Sequence, residues 1–287
     1  MAKCLAAGGI PCSTAGVIEL DTSAEALRLR AEYDRQVRGR AGNTFGRPVE
    51  RVGPLIRKTD VNGPGFVMYR DLGGLDGAEL DELIADQVRH FAALGQPFEW
   101  KWHSHDLPAD LPDRLRAHGF VPDEDETVHV GPVAPLAVDA PVPDGVVVRE
   151  ATGRPDLERI RVMEEAVWGF DHGWLPDALE REMSGADSDP GVVVYAEAGG
   201  EVVSASWIRF HTGTEFASLW GGSTLEKWRG RGIYRALVAY RARLAAARGV
   251  RYLQVDASPD SRPILTRLGL RPVAVTVPYM WRPASAG

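Results

Sequence analysis

Leu80, Leu83, Ile84, Val88 and Phe91 return three and four residues apart. That is the period of one helix face, so an amphipathic helix is expected over residues 78–94, closed by Gly95. Residues 24–38, rich in Arg and Glu, predict an exposed helix, and residues 111–118 a short one. Strands are expected at 55–59, 66–70, 98–103 and 127–130, the second entered through the turn Asn62-Gly63-Pro64-Gly65. Further on, the pattern predicts a strand at 146–149, helices at 156–168 and 176–183, and strands at 192–198, 202–210 and 216–224. A Gly199-Gly200 hairpin joins the first two of those three strands. A long helix (233–248), a strand (252–257), a short helix (262–268) and a last strand (273–281) complete the chain. The order β-α-α-β-β-β-α-β-α-β defines an α/β fold class, a mixed sheet with helices on its faces.

Residues 131–145 hold four prolines and few helix formers. They divide the chain into an N-terminal extension at 1–23, expected to be disordered, a domain at 24–132, a linker at 133–145 and a domain at 146–287. The halves share a weak repeat. In 92–120 and again in 246–270 a helix ends at Gly, a strand follows, and a short helix ends in Gly-Phe or Gly-Leu before another strand, which predicts related tandem domains.

Composition narrows the function classes. With 33 Lys+Arg against 40 Asp+Glu the net charge is −7, which argues against general adhesion to nucleic acid or anionic lipid. No uninterrupted apolar run reaches the length of a membrane span, and the first residues make a poor signal peptide, so a cytoplasmic location is expected. The two cysteines, Cys4 and Cys12, support neither a disulfide framework nor a zinc site. His103 and His105 share a strand face beside Trp100 and Trp102, but no third ligand accompanies them. Packing between domains is the reading of that cluster, and no metal site is expected.

The segment from Ser223 to Leu237 carries the clearest chemistry. A strand leads into a turn containing Gly230 and Gly232 and then into the long helix. Glycines let backbone N–H groups approach a ligand, and a helix start adds unpaired donors and partial positive charge. The combination makes a seat for an anion such as a pyrophosphate. From Lys227 to Arg251 there are eight basic residues and no acidic one. Arg229, Arg231 and Arg235 are expected at the phosphate; Arg241, Arg243 and Arg248 are expected on a solvated helix face. The G-x-x-x-x-G-K-[ST] loop is absent, and Arg235 stands where a dinucleotide fingerprint needs its third Gly.

Arg229-Gly230-Arg231-Gly232-Ile233-Tyr234 resembles the [QR]-x-x-G-x-[GA] acyl-CoA loop of the GNAT N-acetyltransferases, with Tyr234 at the small-residue position. The element order over about residues 146–282 resembles that family too. The first half resembles a degenerate copy, whose matching stretch, residues 71–77, has two aspartates and no arginine. The resemblance implies acetyl-CoA as cofactor, with Gly222, Ser223 and Thr224 contacting the pantetheine arm in a form of β-augmentation. Residues 230–235 and Ser258 would complete its site; for Ser258 a helix cap is the competing reading.

It also implies a primary amine acceptor, on a small molecule or a protein, attacking the thioester directly. Many relatives place a Tyr acid where this chain has Leu265, which leaves Tyr279 as the substitute. Glu215, Asp171, His172 and Asp256 are the candidate bases, Glu215 foremost. The loop with Trp168, Phe170, Asp171, His172 and Trp174 would line the acceptor pocket. The expected state is a monomer or homodimer, without nucleic acid or membrane partners. A non-catalytic acyl-CoA-binding protein is the alternative, and a tandem aminoacyl transferase is disfavoured because it needs no pyrophosphate seat.

Overall fold

A computed structural model describes residues 18–40, 48–59, 63–185 and 189–284 of the 287. Cys4, Cys12 and residues 1–17 of the expected extension lie outside the described residues, as does Asn62 of the expected turn. The last part of that extension is tied down: Asp21 N–H donates to Pro272 O at 2.9 Å. Ser23 caps the first helix by accepting from Ala26 N–H at 3.2 Å.

The elements of the first half are α1 (Ala24–Gln36), β1 (Val49–Val52), β2 (Leu55–Lys58), β3 (Gly65–Met68), α2 (Gly77–Ala93), β4 (Phe98–His103), α3 (Leu111–Ala117), β5 (Val121–Pro122) and β6 (Glu126–Pro132). The second half contains β7 (Val146–Glu150), α4 (Arg154–Trp168), α5 (Leu175–Ser184), β8 (Val192–Ala198), β9 (Glu201–Phe210) and β10 (Phe216–Thr224). It continues with α6 (Ile233–Ala247), β11 (Tyr252–Ala257), α7 (Arg262–Arg267) and β12 (Arg271–Trp281). All strands join one sheet in the order β1-β2-β3-β4-β12-β6-β11-β10-β9-β8-β7, with β5 on β12.

That order shows what the repeat does. The last strand of each half pairs only with strands of the other half: β6 lies between β11 and β12, and β12 pairs with β4, β5 and β6. Exchanging the halves maps β3-β4 onto β10-β11, both parallel pairs, and leaves the central order unchanged. Neither half closes its sheet alone. The expected linker is part of this junction, since Val133 and Leu136 are buried in the core beneath α6 and α7.

Helices cover both faces. One face carries α2 and α3 over Phe98, Trp100 and Tyr279, then α6 and α7 over Leu219, Leu253 and Val255. The opposite face carries α4 and α5 over Val193, Ala205 and Trp207 at one end, and α1 over Val128, Val130 and Phe216 in the middle. His103 and His105 dock α1: His103 lies 3.4 Å from the Tyr33 hydroxyl, and His105 bonds Asp34 and Arg38. The strip of sheet left between α4–α5 and α1 floors a cleft of about 1680 Å³.

Candidate active site

The cleft opens because β10 and β11 part. They are paired only from Phe216↔Tyr252 to Ser218↔Gln254. Beyond that, β10 follows β9 alone while β11 follows β6. Near the opening β10 carries a bulge whose extra residue is Gly222, between the pairs Gly221↔Ser206 and Ser223↔Ala205. Gly222 has φ +95°, and a Cβ there would lie 2.7 Å from Tyr234 Cε2. Only glycine fits both the left-handed backbone and the ring against it. From behind, Arg241 of α6 donates to Trp207 O and Trp220 O on the two bulged strands.

Next comes a 3₁₀ turn (Glu226–Trp228), after which Arg229 is extended, Gly230 and Gly232 have positive φ, and α6 begins at Ile233 without a side-chain cap. The first helical bond of this region is from Ala236 N–H to Gly232 O. The N–H groups of residues 230–235 make no hydrogen bond to another described residue. Six free donors at the start of a 15-residue helix carry roughly half a positive charge, a set that fits a diphosphate. The arginines frame it. Arg229 Nε donates to Thr224 O at 3.0 Å, so it fastens the loop to β10. Arg231 stacks on Trp228 with Cζ 4.8 Å from the ring centroid, and an Arg235 guanidinium nitrogen lies 3.6 Å from where a Gly232 Cβ would stand. In the first half the matching turn answers its own donor: Asp71 Oδ1 accepts from Gly73 N–H at 3.2 Å.

Most residues singled out from sequence line this cleft: Gly222, Ser223, Thr224, residues 229–235, Ser258, Trp168, His172 and Trp174. Ser258 supports α7 through its carbonyl, which accepts from Arg262 N–H at 2.9 Å, while its hydroxyl lies 3.3 Å from Ser261 Oγ. Phe170 and Asp171 support the loop of residues 169–174 from outside the cleft. Phe170 stacks on His172 at 4.5 Å, and the Asp171 carboxylate accepts from Gly173 N–H at 3.1 Å.

Three expectations are corrected. Glu215 lies at the paired end of β10, away from the opening, where Gln36 and Arg251 hold its carboxyl below its ordinary value. Tyr279 is buried in the core beneath α2 and α3, beside Arg116. Neither reaches the cleft. Arg241, expected on a solvated face, is 1% exposed; burial lowers its pKa to about 10, and carbonyl oxygens rather than a carboxylate receive it.

One group escaped the sequence reading. Glu164, on the buried stripe of α4 with Leu157 and Ile160, is 3% exposed and lines the cleft. Its Oε2 accepts from the Ser223 hydroxyl at 2.7 Å and from Trp168 Nε1–H at 2.8 Å. Its Oε1 has no partner, and leaving a buried acceptor unpaired costs about 1–3 kcal/mol or more. Burial pushes the carboxyl pKa up, against the opposing hydrogen bonds from Ser223 and Trp168 and the nearby His172. Asp256 also faces the cleft, but it is engaged by Lys101 at 2.6 Å and Gln254 at 2.7 Å.

Residues 157–269 match the acetyltransferase (GNAT) family. Among solved structures, the chain resembles a GCN5-related N-acetyltransferase from Kribbella flavida at 18% identity, covering 91% of this chain and 96% of that one, with a TM-score of 0.65. It is similar to a tandem GNAT protein from the clavulanic acid biosynthesis pathway at 15% identity, 92% and 94% coverage and a TM-score of 0.57. A conserved protein of unknown function from Staphylococcus epidermidis aligns at 11% identity, 84% and 96% coverage and a TM-score of 0.62. A search of curated protein sequences returns no match. Among the described residues, no helix is long and apolar enough to cross a membrane. The second half therefore carries a domain matched by the GNAT family over residues 157–269, and the chain shares its fold along most of its length with a tandem GNAT protein.

Proposed function

We propose that the protein is an acetyl-CoA-dependent N-acetyltransferase acting on a primary amine, with its cofactor site in the second half (146–287) and the first half (24–132) as the far wall of the acceptor cleft. The observation that carries this reading is the run of unbonded N–H groups over residues 230–235, beside a strand pair that opens at Ser218 and Gln254. Those donors would hold the pyrophosphate, with Arg231 and Arg235 beside them. The open edge of β10 at Gly222, Ser223 and Thr224 would receive the pantetheine as an added strand. When bound, the coenzyme supplies an activated acetyl thioester. The chain's own work is to orient that group, exclude water and take a proton from the amine. Trp168, His172, Trp174 and Trp220 line the acceptor side.

Calorimetry with CoA tests the seat. Wild type is expected to bind, and the double variant Arg231→Glu/Gly232→Asp to lose binding while its circular dichroism and melting stay those of a folded protein. Two added carboxylates beside a diphosphate reverse the local charge. Unchanged CoA affinity in that variant would remove the basis for the reading. The non-catalytic alternative draws on Leu265, which is fully buried and provides no acid. It would gain if wild type bound CoA yet released no thiol with any amine.

A further inference from the structure

Glu164 makes no ion pair among the described residues, yet it sits on the buried stripe of α4, where an apolar side chain would pack without penalty. Its carboxylate is gripped from one side only. Ser223 and Trp168 both donate to Oε2, and Trp168 Nε1 also reaches Ser223 Oγ at 3.1 Å, so two linked side chains, one from α4 and one from β10, hold that oxygen. Oε1 is the oxygen without a partner, in a residue that lines the cleft. Ser223 directly follows Gly222, the bulge residue at the parting of β10 from β11. The grip therefore places the Glu164 carboxylate, with its second oxygen buried and unpaired, beside the strand edge assigned above to the pantetheine arm.

We propose that Glu164 is the general base of acyl transfer, accepting the proton of the attacking amine on Oε1, with Ser223 and Trp168 as positioning residues. The inference rests on the acetyltransferase reading. In the step, the amine lone pair forms the N–C bond to the thioester carbonyl and one amine proton passes to Glu164. The C–S bond breaks, and its electron pair leaves on sulfur. The thiolate then takes that proton from Glu164, or takes one from solvent while Glu164 gives its own to solvent, so the enzyme returns to its starting state. The surroundings leave Glu164 free to cycle. His172 faces it from the loop, Arg209 of β9 is occupied by Glu182 of α5, Arg161 is occupied by Glu158 and Glu165 on α4 itself, and β10 offers only uncharged residues. A raised carboxyl pKa suits a group that must gain and lose a proton near neutrality.

The test uses Glu164→Gln and Ser223→Ala in the full chain. CoA affinity by calorimetry is expected to stay within about twofold of wild type in Glu164→Gln. Thiol release from acetyl-CoA is measured with n-butylamine and glucosamine between about pH 6 and 9. Wild type is expected to exceed Glu164→Gln by about 10²–10⁴-fold at the alkaline end, with the gap narrowing toward the acid end as Glu164 takes up its proton and can no longer act as a base. Infrared titration of the protein without coenzyme supplies a readout independent of turnover. A carboxyl band that titrates above the ordinary carboxylate range is expected in wild type, missing in Glu164→Gln and moved to higher pH in Ser223→Ala. A gap that does not change with pH, a missing band, or a wild type that binds CoA but acetylates neither amine overturns the base. Failure of wild type to bind CoA overturns the seat instead.

Discussion

Gly222→Ala is the most local test of the opened strand. At φ +95° an alanine suffers left-handed strain of about 1–2 kcal/mol, and its Cβ would lie 2.7 Å from Tyr234 Cε2. Ordinary carbon contacts begin near ~3.5 Å, so the ring must retreat by nearly 1 Å or turn away. Tyr234 packs against the core formed by Leu219 and Leu253, and disturbing that packing costs about another 1–3 kcal/mol. The variant should therefore lose roughly 2–5 kcal/mol by urea denaturation, together with most of its CoA affinity. Tyr234→Ala in the same chain removes the collision but not the backbone strain. A double-mutant cycle should thus return a coupling of about 1 kcal/mol or more. A Gly222→Ala protein with unchanged midpoint, or a cycle that closes without coupling, would refute the argument that the bulge requires glycine and that Tyr234 rests on it.

Two further outcomes follow from the fold. His129 is fully buried between Thr127 O and Thr266 Oγ1, and burial lowers its pKa from 6.5 to about 4. Its folded pKa lies below the unfolded value, so the stability it contributes is complete above 6.5 and is lost as pH falls toward 4, by up to about 3 kcal/mol. Calorimetric melting should decline over that window, and His129→Gln should flatten the decline; an equally steep curve in the variant would assign the loss elsewhere. Because β6 separates β11 from β12, residues 133–287 expressed alone should expose two strand edges and aggregate. Co-expression with residues 1–132 should restore a soluble 1:1 complex by size-exclusion chromatography. A monomeric, cooperatively melting fragment would contradict the reciprocal exchange.

Helix periodicity and turn residues made most elements legible. The start expected for the long helix, residue 233, is the first residue of α6, and the three strands expected before it are all present. The turn with free backbone donors at the start of α6 was legible because its properties are local: glycines, a helix start and an absence of acids within one short segment. Edge strand β1 was missed because almost every residue in it is exposed, so there is no alternation to detect. The exchange of β6 and β12 was illegible for another reason. Each buries residues on both faces, which says nothing about which neighbour it will pair with.

Glu164 and Arg241 left a signal of one kind. Each interrupts the apolar stripe of its helix, Glu164 four residues after Ile160 and Arg241 four after Leu237, among residues that are otherwise buried. A charged residue on such a stripe has to find hydrogen-bond partners inside the protein. For Arg241 these are the carbonyls of β9 and β10, and for Glu164 they are Ser223 and Trp168 with one oxygen left over. Glu215 misled because position along the strand was read without the direction in which the strand opens. It occupies the paired end, where Gln36 of α1 satisfies it.

The central claim is that the backbone donors between the opened strand and α6 hold a diphosphate. Amide proton shifts of Gly230 and Gly232, followed by NMR as CoA is added, test it most directly. Both protons should move downfield with CoA and stay in place with pantetheine, which lacks the diphosphate. Amides that remain unmoved while CoA binds and perturbs other residues would contradict the account.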